Sequence, residues 1–283
     1  MEEGHEFLHR LTNGGVLPMI TSCSPGWVNM IELKYPDLLP HLSSAKSPQQ
    51  MFGAIAKTYY AEKAGIDPAK IVSVSVMPCT AKKAEAARPE MTRELGRMIR
   101  EAGLDFKHLP EDSYDSPLGT GTGAAVIFGT TGGVMEAALR TVADVLTGEN
   151  LQTVDYNDVR GMEQTREAEL TIAGNTVKIA VVHTLASARK ILERIRAGEA
   201  DYQFIEVMAC PGGCIGGGGQ PIPVNAEIRR ARREGLFDCD SANELRKSHE
   251  NPEIKELYDT WLGKPLGEKA HSLLHTHYHQ QIR

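Results

Sequence analysis

Long apolar runs are missing from this 283-residue chain. No uninterrupted stretch reaches the roughly 18 residues that a membrane-spanning helix requires, and Met1 leads into Glu2 and Glu3 rather than into a secretory signal. A cytoplasmic protein that stays out of membranes is the expectation. A positive excess is missing as well, since 31 Lys and Arg stand against 37 Asp and Glu for a net charge of -6. A nucleic-acid binder, whose affinity rests on neutralising phosphates, would need the opposite balance. The one dense basic run, Arg229, Arg230, Arg232 and Arg233, is flanked by Glu227 and Glu234 and reads as a solvated helical face rather than a docking patch. Cysteine is scarce and odd in number: Cys23, Cys79, Cys210, Cys214 and Cys239. That argues for reduced thiols open to metal, not for a disulfide framework. Internal repeats and low-complexity linkers are lacking too.

What is present suits a packed enzyme. A chain of this length, 41% hydrophobic and 24% charged, can bury an ample core in one large domain or two modest lobes. Alternating apolar residues over 71–77 predict a strand that Pro78 ends just before Cys79. Residues 177–183 repeat the pattern and run into a helical stretch over 186–196. A third strand over 204–208 delivers Cys210 and Cys214 into a glycine-rich loop. Strands alternating with helices indicate α/β layering, with functional loops beyond the strand ends. Between residues 116 and 133 the composition turns to Gly, Thr and Ala, and a helix over 134–146 follows. Such a helix start offers free backbone N–H groups to an anionic ligand or a close-packed cofactor, or it is simply a tight turn into the helix.

The cysteine chemistry is concentrated in Met208-Ala209-Cys210-Pro211-Gly212-Gly213-Cys214-Ile215-Gly216-Gly217-Gly218-Gly219-Gln220-Pro221. Iron-sulfur clusters are held by thiolates from several loops, and glycine beside a ligand lets backbone N–H groups approach the sulfurs. A zinc pair would call for two further Cys or His ligands nearby, and the four-glycine run makes zinc the weaker reading. The segment lacks the Lys-Ser/Thr ending of a phosphate-binding loop, so nucleotide binding is weaker still.

Three segments together resemble the cluster-binding motifs of FeFe (iron-only) hydrogenases: Thr21-Ser22-Cys23-Ser24-Pro25-Gly26-Trp27, then Met77-Pro78-Cys79-Thr80-Ala81-Lys82-Lys83-Ala84-Glu85, then Glu206 to Pro221. The resemblance extends essentially from Met1 to His279. It implies an α/β fold of two lobes of mixed β-sheet flanked by helices, with the cluster in the cleft between them. The whole of residues 1–283 would form a single H-cluster catalytic domain, with the usual N-terminal part of that domain and the accessory iron-sulfur domains absent. The implied activity is reversible hydrogen oxidation and proton reduction. The implied cofactor is a 4Fe-4S cubane linked to a di-iron subsite that bears carbon monoxide, cyanide and a bridging dithiolate. Electrons would come through ferredoxin-like or NADH-linked flavin and iron-sulfur domains or subunits, and maturation proteins would install the di-iron subsite.

The resemblance also implies residue roles. Cys79, Cys210, Cys214 and a residue of the first motif would hold the cubane, with Cys214 bridging to the di-iron subsite. Lys82 would pair with a cyanide nitrogen, because a buried ammonium is costly unless an anion faces it; by itself it reads as a solvated lysine after a strand. Met77 and Met208 match apolar packing around the subsite, though core filling also explains them. Ser47, Pro48, Gln49 and the backbone near Gly129 fall where the family lines its pocket. The family's proton relay maps onto Cys23, Glu3, Ser43, Glu6 and Arg10, of which Glu3, Glu6 and Arg10 follow i, i+3, i+7 spacing on one helical face.

Two departures stand out. The commonest first motif has two adjacent cysteines, and here the second is Ser24. Either Ser24 ligates as an alkoxide, or Cys23 turns inward as the fourth thiolate and leaves the relay, or the cluster is labile or absent; iron prefers the softer thiolate. Family members also carry an additional segment after Met91, before a helix near residues 92–95. Two alternatives remain: a non-catalytic assembly factor or hydrogen sensor of the same fold, and a zinc-stabilised module using the cysteines with His271, His275, His277 and His279. Cys239 matches no family role and reads as a free structural or surface thiol.

Overall fold

The computed structural model describes residues 1–85, 108, 110, 117–152 and 154–281. The expectation for residues 91–95 lies outside the described residues. Helix α1 (Glu2–Asn13) leads into the short strand β1 (Met19–Ile20), followed by α2 (Pro25–Lys34) and α3 (Pro48–Ile55). Further along the chain come α4 (Gly133–Thr147), the hairpin β2 (Thr165–Ile172) and β3 (Asn175–His183), α5 (Leu185–Arg196), β4 (Phe204–Met208) and α6 (Ala226–Ala242).

The strands form one four-stranded mixed sheet in the order β1-β4-β3-β2. β1 and β3 run parallel to β4, while β2 is antiparallel to β3. Strand periodicity sorts the core into two layers. Val177, Ile179, Val181 and Phe204 face α1 and α4, where Phe7 stacks on Phe204 at 4.8 Å. Ala180, Val182, Ile205 and Val207 face the opposite way, onto Trp27, Ile31, Ile191 and Leu192 of α2 and α5. A sheet covered by helices on both faces is the α/β layering that the alternation of strands and helices implied.

The hairpin turn places Ala173 (φ 50°) and Gly174 (φ 78°) in the left-handed region, the geometry of a two-residue loop whose twist matches its strands. The expected strand over 71–77 is not formed. These residues pair with no strand among the described residues, and Val72, Val74 and Val76 remain 83%, 66% and 65% exposed. Alternation sets which way side chains point, but a strand also needs a ladder partner. A smaller apolar cluster of Ile55, Tyr59, Leu257, Tyr258, Leu262 and Leu274 joins the region after α3 to the C-terminal helices.

Candidate metal centre

β4 carries the site on its C-terminal end. After Met208 the chain enters a series of tight turns, in which Gly213 N–H donates to Cys210 O (3.0 Å) and Gly217 N–H to Cys214 O (2.9 Å). Gly213 sits at φ 94°, and a Cβ there would lie 2.7 Å from Met208 Sδ and 2.8 Å from Thr131 N. Only glycine meets both demands. Gly219 brings in the second segment: its N–H donates to Pro78 O at 3.2 Å, and a Cβ on it would sit 2.8 Å from Pro78 C and 3.1 Å from Cys79 N. The glycine run is the surface on which the Cys79 backbone lies.

The thiols therefore converge although about 130 positions separate the segments. Burial pushes the Cys210 thiol above its ordinary range, and the neighbouring Cys79 adds to that. Burial, Cys79 and Cys210 together push Cys214 up to about 11. Cys23 is raised too, by burial first and then by Glu3 and Cys214. A metal bound by these sulfurs would displace their protons and relieve their mutual repulsion. Among the described residues, Cys79, Cys210 and Cys214 do not all lie within 4.8 Å of one another. A tetrahedral zinc site, with Zn–S near 2.3 Å, would need sulfur pairs about 3.8 Å apart. Thiol donors from separate loops suit an iron-sulfur cluster, and Thr130 Oγ1, buried without a partner in the turn packed on Gly213, adds a free polar group to that cradle.

Lys82 is not the solvated lysine of its plain sequence reading. It is buried, its Nζ donates to Cys23 O at 3.0 Å and to both oxygens of Glu85 at 2.8 and 2.9 Å, and its charge acts on the Cys23 and Cys214 thiols. Met208 is buried against Gly213, whereas Met77 is 39% exposed. Ser47 caps α3 and lines a cavity of about 580 Å³ with Ser22, Lys46, Ala81, Glu85 and Tyr278. Pro48 is exposed and borders a separate apolar cavity with Met51 and Tyr258, and Gln49 is half-buried. A Cβ on Gly129 would meet Leu236 of α6 at 2.9 Å, so its side-chain face is turned to that helix. Ser24 is the N-cap of α2 without a side-chain capping bond, which leaves its hydroxyl uncommitted to the helix. Cys239 is exposed on α6.

Glu3, Ser43, Glu6 and Arg10 form one chain. Ser43 Oγ donates to Glu6 Oε2 at 2.9 Å and neighbours Glu3, while Arg10 Nη2 donates to Glu6 Oε1 at 2.6 Å. Burial and the neighbouring Glu6 raise Glu3 to about 7. The linkage has a sign. A carboxyl whose pKa is raised in the folded state contributes most below its unfolded value near 4.5, and that contribution is lost as pH rises through about 7. Glu3→Gln should therefore gain stability relative to the parent across this window, by at most about 3 kcal/mol, in melts recorded from pH 4.5 to 8.

The helix start after the Gly-Thr-rich turn is filled from within. Gly132 N–H donates to Glu206 Oε1 at 2.6 Å and Met135 N–H to Oε2 at 2.8 Å. Strand alternation turns Glu206 to the α4 side of β4, so the carboxylate supplies the anion that the free N–H groups call for. Sequence reasoning missed this pairing. It also missed Arg232, which donates to Ile215 O (2.8 Å) and Pro221 O (3.1 Å) and so clamps the thiol loop; the basic run is only partly a solvated face. The terminal histidines are no zinc pair: His275 is engaged by Ser44 and Glu2, and its ring stacks on His271 at 4.7 Å.

Thiols from distant segments converging on a glycine cradle at the end of a helix-covered sheet are the features of an iron-sulfur protein. Residues 1–218 match the family model of the iron-only hydrogenase large subunit, C-terminal domain, and residues 226–281 match that of the iron hydrogenase small subunit. The chain belongs to the iron-only hydrogenase family. It is 52% identical to the NADP-reducing hydrogenase subunit HndD of Solidesulfovibrio fructosivorans over 100% of this chain and 52% of that protein. It is 44% identical to iron hydrogenase 1 of Clostridium pasteurianum over 98% of this chain and 52% of that protein. A solved variant of [FeFe]-hydrogenase HydA1 from Chlamydomonas reinhardtii superposes with a TM-score of 0.84 at 44% identity, covering 99% of this chain and 81% of that one. More distant relatives, at 30–32% identity, include cytosolic iron-sulfur assembly factors. The chain spans about half the length of the first two relatives.

Proposed function

We propose that residues 1–283 form the catalytic domain of an iron-only hydrogenase, which interconverts protons, electrons and dihydrogen. The observation that carries this reading is the succession of groups from the thiols outward: buried Lys82 beside Cys23 and Cys214, then Glu3, Ser43, Glu6 and Arg10. A passive cluster carrier needs neither a buried cation facing its ligands nor a proton path, which favours an enzyme over an assembly factor or sensor.

Cys79, Cys210 and Cys214 would hold a 4Fe-4S cubane, with Cys23 or Ser24 as the fourth ligand and Cys214 shared with a di-iron subsite carrying carbon monoxide, cyanide and a dithiolate. That group supplies the redox chemistry and the place where dihydrogen is made or split. Lys82, paired with Glu85 and the Cys23 carbonyl, presents a fixed positive charge suited to bound cyanide. Glu3 can both take and give a proton near neutral pH, as a relay member must. Ser43 passes it to Glu6 by exchanging its hydroxyl proton, and Arg10, half-buried at the far end, bonds Glu6 on the side toward solvent. Met208 and Gly213 close the loop behind the sulfurs.

Electron delivery would fall to ferredoxin-like or NADH-linked flavin and iron-sulfur partners, in line with the NADP-reducing relative, and maturation proteins would install the di-iron subsite. No helix among the described residues is long and apolar enough to cross a membrane, and a cytoplasmic location fits the reduced thiols.

Protein co-produced with maturation proteins should contain iron and sulfide, show infrared bands of carbon monoxide and cyanide, and evolve hydrogen from a reduced viologen. Infrared bands without hydrogen turnover would overturn the enzymatic reading. Cys23→Ala separates the roles of its thiol: intact cubane iron with turnover reduced by about 100-fold or more assigns Cys23 to the relay, and loss of cubane iron assigns it as the fourth ligand.

A further inference from the structure

The relay described above has a second set of buried partners, supplied by the part of the chain that matches the small-subunit model. Ser44 N–H donates to both oxygens of Glu6, at 3.1 and 3.0 Å, and so fixes the carboxylate that Ser43 also touches. The Ser44 side chain points the other way, with Oγ 2.8 Å from His275 Nδ1. His275 Nε2 lies 2.9 Å from Glu2 Oε2, and Glu2 is further held by Leu266 N–H at 3.0 Å and by the Tyr258 hydroxyl. Burial opposes ionisation of Glu2, yet His275, Tyr258 and the Leu266 N–H together hold its pKa below the usual range. An ionised carboxylate can only accept, so Nε2 carries the proton, and in the neutral ring Nδ1 accepts from the Ser44 hydroxyl.

The backbone reinforces the same register. Thr276 N–H donates to Ser44 O and Lys46 N–H to Leu274 O, both at 2.8 Å, forming a bridge between Ala45 and His275. Glu2 and His275 are both almost fully buried, an expense that a surface tail would not require. Tyr258 and Leu266, like His275, belong to the span 226–281.

We propose that His275, backed by Glu2, is a positioning residue for proton exit: it orients Ser44 so that the Ser44 amide and the Ser43 hydroxyl stay aimed at Glu6. The small-subunit segment thereby completes the outlet built on the large-subunit segment. The inference rests on the hydrogenase reading for its effect on turnover, but its structural half stands apart from that reading. Ser44→Ala removes the hydroxyl link and keeps the amide, and His275→Phe removes both ring contacts while filling the space. Each should lower hydrogen evolution from reduced viologen by about tenfold, raise the solvent deuterium isotope effect, and leave iron content and infrared bands at parent levels. His275→Asn, which places an acceptor near Nδ1, should restore turnover at least partly. In metal-free and metal-loaded protein alike, the residue-44 amide should exchange with deuterium about tenfold faster in both of the first two variants.

Ser44→Ala with the parent's turnover and isotope effect would overturn the proposal, and this variant carries the test if His275→Phe does not fold. If the parent itself makes no hydrogen, the hydrogenase reading falls while amide exchange still decides the positioning. An unchanged exchange rate at residue 44 then overturns it.

Discussion

Cys214→Ala is expected to bring hydrogen turnover down by more than about 100-fold, the loss that already follows removal of a mere supporting residue in metal sites. Cys214 stands where two demands meet. Its thiol is raised to about 11 by burial and by the neighbouring Cys79 and Cys210. It also opens the 3-10 turn Cys214–Gly216, whose backbone bonds do not involve the side chain. Replacing it should remove the proposed ligand without unfolding the loop, because Arg232 still clamps Ile215 and Gly213 still packs on Thr131. Iron and sulfide should fall together, and the infrared bands should vanish. The melting temperature of metal-free protein should stay within a few degrees of the parent. Cys239→Ala, at the exposed thiol on α6, serves as the comparison and should match the parent in every respect. Retained iron and turnover in Cys214→Ala would remove this residue from the metal centre.

Arg140→Ala should be the most destabilising single change in the sheet-packed half, at about 3 to 5 kcal/mol. Its guanidinium is fully buried on α4 and bonded throughout: Nε to Val154 O (2.8 Å), Nη1 to Asp240 Oδ1 (2.8 Å) and Arg246 O (2.7 Å), Nη2 to Glu136 Oε1 and Asp240 Oδ2 (both 2.8 Å). Arg160 and Arg246 complete a network with Glu136, Asp155 and Asp240. The three carboxylates lie within 4.8 Å of one another, and the three guanidinium groups balance them. Burial opposes ionisation of Asp240, but Arg140 and Arg246 hold it well below the usual carboxylate range. Without Arg140, buried Glu136 and Asp240 lose the cation that lies between them. Against a total stability of about 5 to 15 kcal/mol, a drop of about 10 °C in melting temperature is expected. Arg140→Met should recover little of it, since the orphaned carboxylates remain. A variant that melts with the parent would show that the network contributes fold specificity and not stability.

Both changes act on features of unequal visibility in the sequence. β3, β4, α4 and α5 were legible because each has a buried face whose spacing repeats over several residues. β1 was not, since two residues show no period and become a strand only by lying beside Phe204 and Ile205. β2 escaped because Arg166, Glu167 and Glu169 dominate it, with burial reached only at Leu170 and Ile172. The stretch 71–77 shows the reverse error, alternation without a partner among the described residues. At the proposed metal centre, glycine next to cysteine marked the thiol loop, and the family resemblance marked Glu3, Glu6 and Lys82. Glu2 with His275, 273 positions apart, and Glu206 with the α4 N-terminus left no local trace, because each pair is created by packing and not by sequence proximity.

The Glu206 bond also sets a mechanical limit. Four residue-to-residue steps link it to Cys210 along β4 and its turn, a tether of about 14 Å at full extension. With its carboxylate pinned to Gly132 and Met135, the strand cannot slide lengthwise without dragging α4 along. Sulfur placement is thus gauged against α4, so a lengthwise shift of β4 reaches the thiol loop as this anchor yields.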